Sequence, residues 1–126
     1  MLNDEQKTRD LKVRTKEFAL RIIRLYSALS KRDAAGVIGR QLLRSGTSVG
    51  AQYREAARAR SPAEFISKMQ SATQELDETA YWMELLQESG VVEARLLRDL
   101  QSEAEELTRV FVASVKTAKS KTKGDA

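Results

Sequence analysis

The sequence predicts an all-α protein, an antiparallel up-down-up-down bundle of four helices with short loops. Three observations carry this reading. Apolar residues recur at spacings of three and four through most of the chain, the period of one helix face. No stretch alternates apolar with polar residues over a β-branched run, so no strand is expected. The breaks fall at Asp33, Ser61 and Gly90, where helix-ending and helix-starting chemistry belongs.

The first helix is expected near 13–31, on the stripe Leu11, Phe18, Ile22, Leu25 and Leu29. Lys31 and Arg32 stand where a helix C-terminus favours cations. Asp33 can then cap a second helix near 34–60, its carboxylate accepting from unpaired backbone N–H groups. The core stripe of that helix is Ala35, Ile38, Leu42, Ser45, Val49, Gln52 and Ala56. Ser61-Pro62-Ala63-Glu64 supplies Ser at N-cap, Pro at N1 and Glu at N3, the capping-box pattern for a third helix near 62–89. Its stripe is Phe65, Met69, Ala72, Leu76, Thr79, Met83 and Leu86, and Gly90 can close it in the left-handed conformation. A fourth helix near 93–117 follows on Leu96, Leu100, Ala104, Leu107, Phe111 and Ser114. At 126 residues the chain is one domain, 1–117, and the small, polar, basic stretch 118–126 is expected to fray as a flexible tail. Connections this short make sequential helices antiparallel neighbours.

The second helix carries Gly36, Gly39, Gly46 and Gly50, each costing about 0.8–1 kcal/mol relative to alanine in a helix interior. The glycines describe either a bent helix weak at Gly46-Thr47-Ser48 or a groove into which another helix fits. Gly39, Gly46, Gly50 and Ala57 share one flank, which favours the groove. The helix that fills it belongs either to the same bundle or to a neighbouring subunit.

Composition closes several chemistries. The chain has no cysteine and no histidine, so it forms no disulfide, thiol nucleophile, Cys/His zinc site or Ser-His-Asp triad. A bundle di-iron centre needs Glu-x-x-His pairs, which cannot occur here, and no metal or other cofactor is expected. Glu55, Glu75 and Glu78 lie near the core stripes. They fit ion pairs with arginines across the helix interface better than an active site, and no enzyme is predicted. No window approaches the roughly 20 apolar residues of a membrane span, and the polar start MLNDEQKTRD predicts no signal peptide. Gly46-x-x-x-Gly50 matches a membrane-dimer spacing, but its segment is polar. A cytoplasmic protein without membrane contact is expected.

Charge is unevenly placed. Residues 1–60 hold 14 basic and 6 acidic side chains, residues 61–115 hold 4 and 11, and the net charge is +4. This describes either a bipolar field or ordinary solvated helix faces. On the second helix Arg40, Arg44, Arg54 and Arg58 fall within an arc of about 80° pointing away from the core stripe. Such a line of guanidinium forks suits phosphates, with Lys116, Lys119, Lys121 and Lys123 adding non-specific affinity. The same arginines suit contacts with an acidic neighbouring subunit equally well. Tyr53, Tyr81 and Trp82 read as packing or interface residues, since no RNA-stacking aromatic motif surrounds them.

The stretch Gln41–Leu86 resembles a bacterial family of four-helix-bundle proteins encoded in intervening sequences of large-subunit ribosomal RNA genes. The matching residues are Gln41-Leu42, Arg44-Ser45, Ser48-Val49, Glu55-Ala56, Ala59, Ser61, Phe65, Lys68, Glu75, Glu78-Thr79 and Tyr81-Trp82, with Phe18-Ala19-Leu20 ahead of them. The chain departs from the family at Gln52, usually Asn, and at Met83, often Leu. The family is similar to the accessory protein of diversity-generating retroelements, a basic pentamer that contacts a reverse transcriptase and nucleic acid. The resemblance implies a small bundle assembled as a homopentameric ring, without enzymatic activity. Two functions follow as expectations. One is an oligomeric scaffold that binds RNA or DNA weakly and largely non-specifically. The other is a protein-interaction module, an adaptor for a reverse transcriptase or a ribosome-associated protein, with its arginines in subunit contacts.

Overall fold

The computed structural model describes residues 3–124. Four helices make up 88% of it and no strands are present among the described residues. They are α1 (Asp4–Ala28), α2 (Asp33–Ala57), α3 (Pro62–Glu88) and α4 (Ala94–Gly124). Each packs antiparallel to its sequence neighbour, with α2 and α3 the most intimate pair and α1 and α4 the loosest.

Four of the expected boundaries move by three residues or more: α2 ends at Ala57 rather than near 60, so that Arg58 stands at its C-cap, and the other three shifts have a local cause. α1 begins nine residues early because Asn3 accepts from the Gln6 N–H while the Gln6 side chain accepts from the Asn3 N–H, a reciprocal cap. No apolar stripe marks residues 4–10, so periodicity alone does not see this turn. α1 stops at Ala28 because Leu29 is extended (φ −82°, ψ 150°). Lys31 then folds back, its Nζ donating to the Tyr26 carbonyl (2.6 Å) and the Leu29 carbonyl (2.7 Å) while lying 4.2 Å from the Tyr26 ring centre. α4 does not end near 117 but runs through Lys116, Lys119, Lys121 and Lys123 to Gly124, since neither proline nor glycine interrupts it earlier. Asp125 and Ala126 of the expected tail lie outside the described residues.

Asp33 does not cap α2 with its side chain. Arg32 occupies the N-cap without a side-chain hydrogen bond, and Asp33 is the first helical residue at φ +55°, a left-handed value that aspartate tolerates better than most side chains. The turn is so tight that a Cβ on Gly36 would collide with the Lys31 carbonyl oxygen. Ser61 does cap α3, accepting from the Glu64 N–H at 3.1 Å. The Glu64 carboxylate accepts from the Arg60 N–H (3.0 Å), one residue earlier than a strict capping box has it. Gly90 adopts φ +79° beyond the end of α3, as its position predicts.

The core follows the four stripes. Phe18, Ile22, Leu42, Val49, Met69, Leu76, Met83, Leu86, Leu107 and Phe111 are fully buried. Leu96 is the exception: it is 60% exposed, and Leu97 is buried in its place. Both leucines satisfy a three/four spacing with the residues that follow, and only the direction in which α4 enters the bundle separates them. Three buried hydroxyls are satisfied internally. Thr15 donates to the Leu11 carbonyl, and Thr79 donates to the Glu75 carbonyl (2.7 Å) and shares a 2.8 Å hydrogen bond with Ser45 across the α2–α3 interface.

The glycine flank of α2 is a groove, and α1 of the same chain fills it. A Cβ on Gly46 would stand 2.7 Å from Ile22 Cγ1, one on Gly50 3.2 Å from Thr15 Oγ1, and one on Gly39 3.2 Å from Leu29 Cδ1. Gly39, Gly46 and Gly50 are therefore consumed inside the bundle, while Ala57, the fourth residue of the flank, is exposed. α2 stays continuous through Gly46-Thr47-Ser48, where Thr47 and Ser48 return their hydroxyls to the Leu43 and Arg44 carbonyls, each at 2.7 Å.

Candidate nucleic-acid interface

The order of helices turns the uneven charge of the sequence into geometry. α1 and α2 are packed together and hold the basic residues of the first half, and α3 and α4 hold most of the acids. The outward side of α1–α2 presents Lys16, Arg24, Arg40, Arg54 and Arg58, all exposed. None of these has a carboxylate within ion-pair distance among the described residues.

Arg44 differs from the other three arginines of its arc. It reaches over the α2–α3 seam and donates to Glu75 Oε2 through Nη1 (3.2 Å) and to Glu78 Oε1 through Nη2 (3.2 Å). Its guanidinium is held above its ordinary pKa, first by the hydrogen bond to Glu78. The arc thus retains three uncommitted arginines, with Arg40 separated from Arg54 and Arg58. Glu55 meets a lysine rather than an arginine: Lys68 Nζ lies 3.3 Å from Glu55 Oε2.

Glu75 is the most enclosed acid of this cluster, its side chain 17% exposed. Burial pushes its carboxyl pKa up, and the Arg44 charge opposes the shift without cancelling it. The folded state therefore binds protons more tightly there than the unfolded chain, so stability associated with Glu75 falls as pH rises through the carboxylate range. Glu75→Gln should remove this dependence: urea midpoints of the variant relative to the parent should improve between pH 4 and pH 7. Adding Arg44→Met to the parent should steepen the dependence, because the opposing charge is gone. A Glu75→Gln advantage that shrank toward neutral pH would contradict the assignment.

A second connection, half-buried, was invisible to sequence reasoning. Arg14 on α1 grips Glu103 on α4 with two hydrogen bonds, Nε to Oε2 at 3.2 Å and Nη2 to Oε1 at 2.7 Å, and reaches Glu106 at 3.6 Å. It closes the α1–α4 seam where backbone packing is sparse. The partners are 89 residues apart, and nothing in either helix's own pattern marks them.

The aromatics divide. Tyr53 is buried and stacks on Phe111 with ring centres 5.6 Å apart. Trp82 is half-buried, its indole N–H without a partner among the described residues, beside the 52% exposed ring of Tyr81. Open depressions mark the surface formed by the described residues. One of about 580 Å³ is lined by Glu55, Arg58, Arg60, Glu64 and Lys68, and one of about 380 Å³ lies between α3 and α4 around Asp77, Ala80 and Thr108. Among the described residues no group of acids could hold a metal ion, and no helix is long and apolar enough to cross a membrane.

A short-looped antiparallel four-helix bundle with a basic α1–α2 side defines a class of small helical proteins. The particular family follows from comparison. The chain matches the profile described as 23S rRNA-intervening sequence protein over residues 9–113, and it belongs to that family. It is also similar to a crystal structure from Bacteroides thetaiotaomicron VPI-5482, a protein with unknown function from the S23 ribosomal protein family. That similarity is 36% identity over 87% of this chain and 98% of the other, with a TM-score of 0.81. No curated protein matches.

Proposed function

We propose that this protein is a non-catalytic oligomeric scaffold that holds RNA or DNA weakly and with little sequence preference. The observation that carries the reading is the outward side of α1–α2, where exposed cations lie without acidic partners among the described residues, while most of the acids lie on α3–α4. Phosphate contacts of this kind give affinity without base readout. Assembly is supported by a feature other than the glycine flank. Val13 (57% exposed), Leu20 (42%) and Ile23 (41%) form an apolar stripe along the outside of α1. The basic side of one copy and the acidic side of the next suit a head-to-tail contact, which makes a ring if its rotation closes. The number five comes from the family resemblance.

Light scattering at micromolar concentration should return an oligomer, with a pentamer expected. Fluorescence anisotropy on labelled RNA and DNA should show binding whose log affinity falls linearly with log salt, by about 0.7 per phosphate neutralised on single strands and about 0.9 on duplex. A monomer would remove the assembly. An intact oligomer without nucleic-acid binding at low salt would favour the second reading, a protein-interaction module. The apolar stripe on the outside of α1 supports that alternative.

A further inference from the structure

α2 and α4 run in the same direction at opposite corners of the bundle. The stacked rings of Tyr53 and Phe111 bring the two helices to one level. Beyond that level α2 ends at Ala57, about 6 Å farther on at 1.5 Å per residue, while α4 continues to Gly124, about 20 Å farther on. Arg58 and Lys116 each lie five positions past their ring, so they share a height at this end of the molecule. The last turns of α4 then project past the α2–α3 turn that carries Arg58 and Arg60.

The projection is built of charge. Lys116, Lys119, Lys121 and Lys123 are all exposed, and among the described residues none has a carboxylate within ion-pair distance. Lys116, Lys119 and Lys123 fall within an arc of about 60° at 100° per residue. Arg58 and Arg60 are exposed beside the neighbouring depression, where Lys68 is occupied by Glu55, and Glu64 accepts the Arg60 N–H. By contrast Arg40 stands about 27 Å from Arg58 along α2, and Arg44 between them is held by Glu75 and Glu78.

We propose that this end of the bundle, Arg58 and Arg60 with the projecting lysine helix of α4, is the principal contact for the phosphate backbone of a nucleic acid, and that the length of α2 is secondary. The proposal rests on the nucleic-acid reading above and moves its centre. The chemistry of the segment selects the occupant. Residues 116–124 read KTAKSKTKG, with Ala118 the only aliphatic side chain. A protein interface needs apolar or aromatic anchors at its centre, and a membrane-surface helix needs an apolar face. This segment offers only cations and hydroxyls, which is what a polyphosphate strand uses.

The test uses the full chain and a fluorescein-labelled oligouridylate in anisotropy titrations over a salt series. One variant carries Arg58→Gln, Arg60→Gln, Lys119→Gln and Lys123→Gln. A charge-matched control carries Lys16→Gln, Arg24→Gln, Arg32→Gln and Arg40→Gln, all at exposed positions away from this end. Circular dichroism melts confirm that both remain folded. The end variant should bind at least about tenfold more weakly at low salt, with a slope shallower by about 0.7 for each lost phosphate contact, while the control, which removes cations of the secondary α1–α2 side, should lose clearly less. Equal losses in the two variants, or a larger loss in the control, would overturn the assignment while leaving nucleic-acid binding intact. A parent protein that does not bind the oligonucleotide at all would remove the underlying reading and this proposal together. Equal competition by polyglutamate would show a site indifferent to phosphate and would also overturn it.

Discussion

Phe111→Ala should lower the unfolding free energy by about 3–5 kcal/mol, the cost of truncating a fully buried aromatic. The ring does two jobs. It fills the core from α4, and it stacks at 5.6 Å on Tyr53 of α2, tying together two helices that are not sequence neighbours. Against a typical domain stability of 5–15 kcal/mol, the loss is a large fraction of the whole. Val112→Ala, one residue on and 40% exposed, should change stability by no more than about 0.5 kcal/mol. Urea denaturation followed by circular dichroism compares the two. Similar midpoint shifts would mean that the inward face of α4 is misassigned.

The second large effect is expected at Gly46. Valine there places a branched Cβ 2.7–2.8 Å from the Cγ1 and Cγ2 atoms of Ile22, whose own side chain is fully buried and has nowhere to rotate. Overpacking of this kind costs about 1–3 kcal/mol, and more where backbones must separate. α1 would have to move off α2 along the groove that the glycines create. Gly50→Ala is the contrast: its Cβ would stop 3.2 Å from Thr15 Oγ1, a shortfall of a few tenths of an ångström. The helix-propensity gain of about 0.8–1 kcal/mol offsets that strain, so Gly50→Ala should be close to neutral. Thermal melts of both variants decide the matter. A Gly46→Val protein as stable as its parent would show that α1 and α2 are not held this closely.

Much of the architecture was legible because its causes are local. Ser61-Pro62 and Gly90 act within a single turn, and the stripes from Leu11 to Leu29 and from Met69 to Leu86 repeat strongly enough to fix an inward face. Boundaries were less legible where the cause was polar. The Asn3–Gln6 cap is a short-range signal that a search by apolar period passes over, and Asp33 had the right side chain for a cap but the wrong backbone angle. Leu96 and Leu97 fit the same period, so the register at the start of α4 depended on the approach of α3.

The candidate interface was legible in part. Four arginines on one arc of a helix follow from spacing alone. Which of them remain available does not, because Glu75 and Glu78 lie 31 and 34 residues beyond Arg44 and meet it only when α3 docks. The same holds for the lysines of α4. Their number is plain in the sequence, but their place past the end of α2 depends on the Tyr53–Phe111 stack that sets the relative height of two helices.

The sequence by itself determined the helical class, the four elements, the direction of most side chains and the chemistries closed by the absence of cysteine and histidine. These are properties of composition and of periods of a few residues. Tertiary structure decided the rest: that α1 fills the glycine groove, that Arg14 and Glu103 close the α1–α4 seam, that Arg44 is withdrawn into an ion pair, and that one end of the bundle gathers uncommitted cations. The physical reason is distance along the chain. Hydrogen bonds, charge pairs and close packing act within a few ångströms, and groups tens of residues apart reach that range only once the helices are docked.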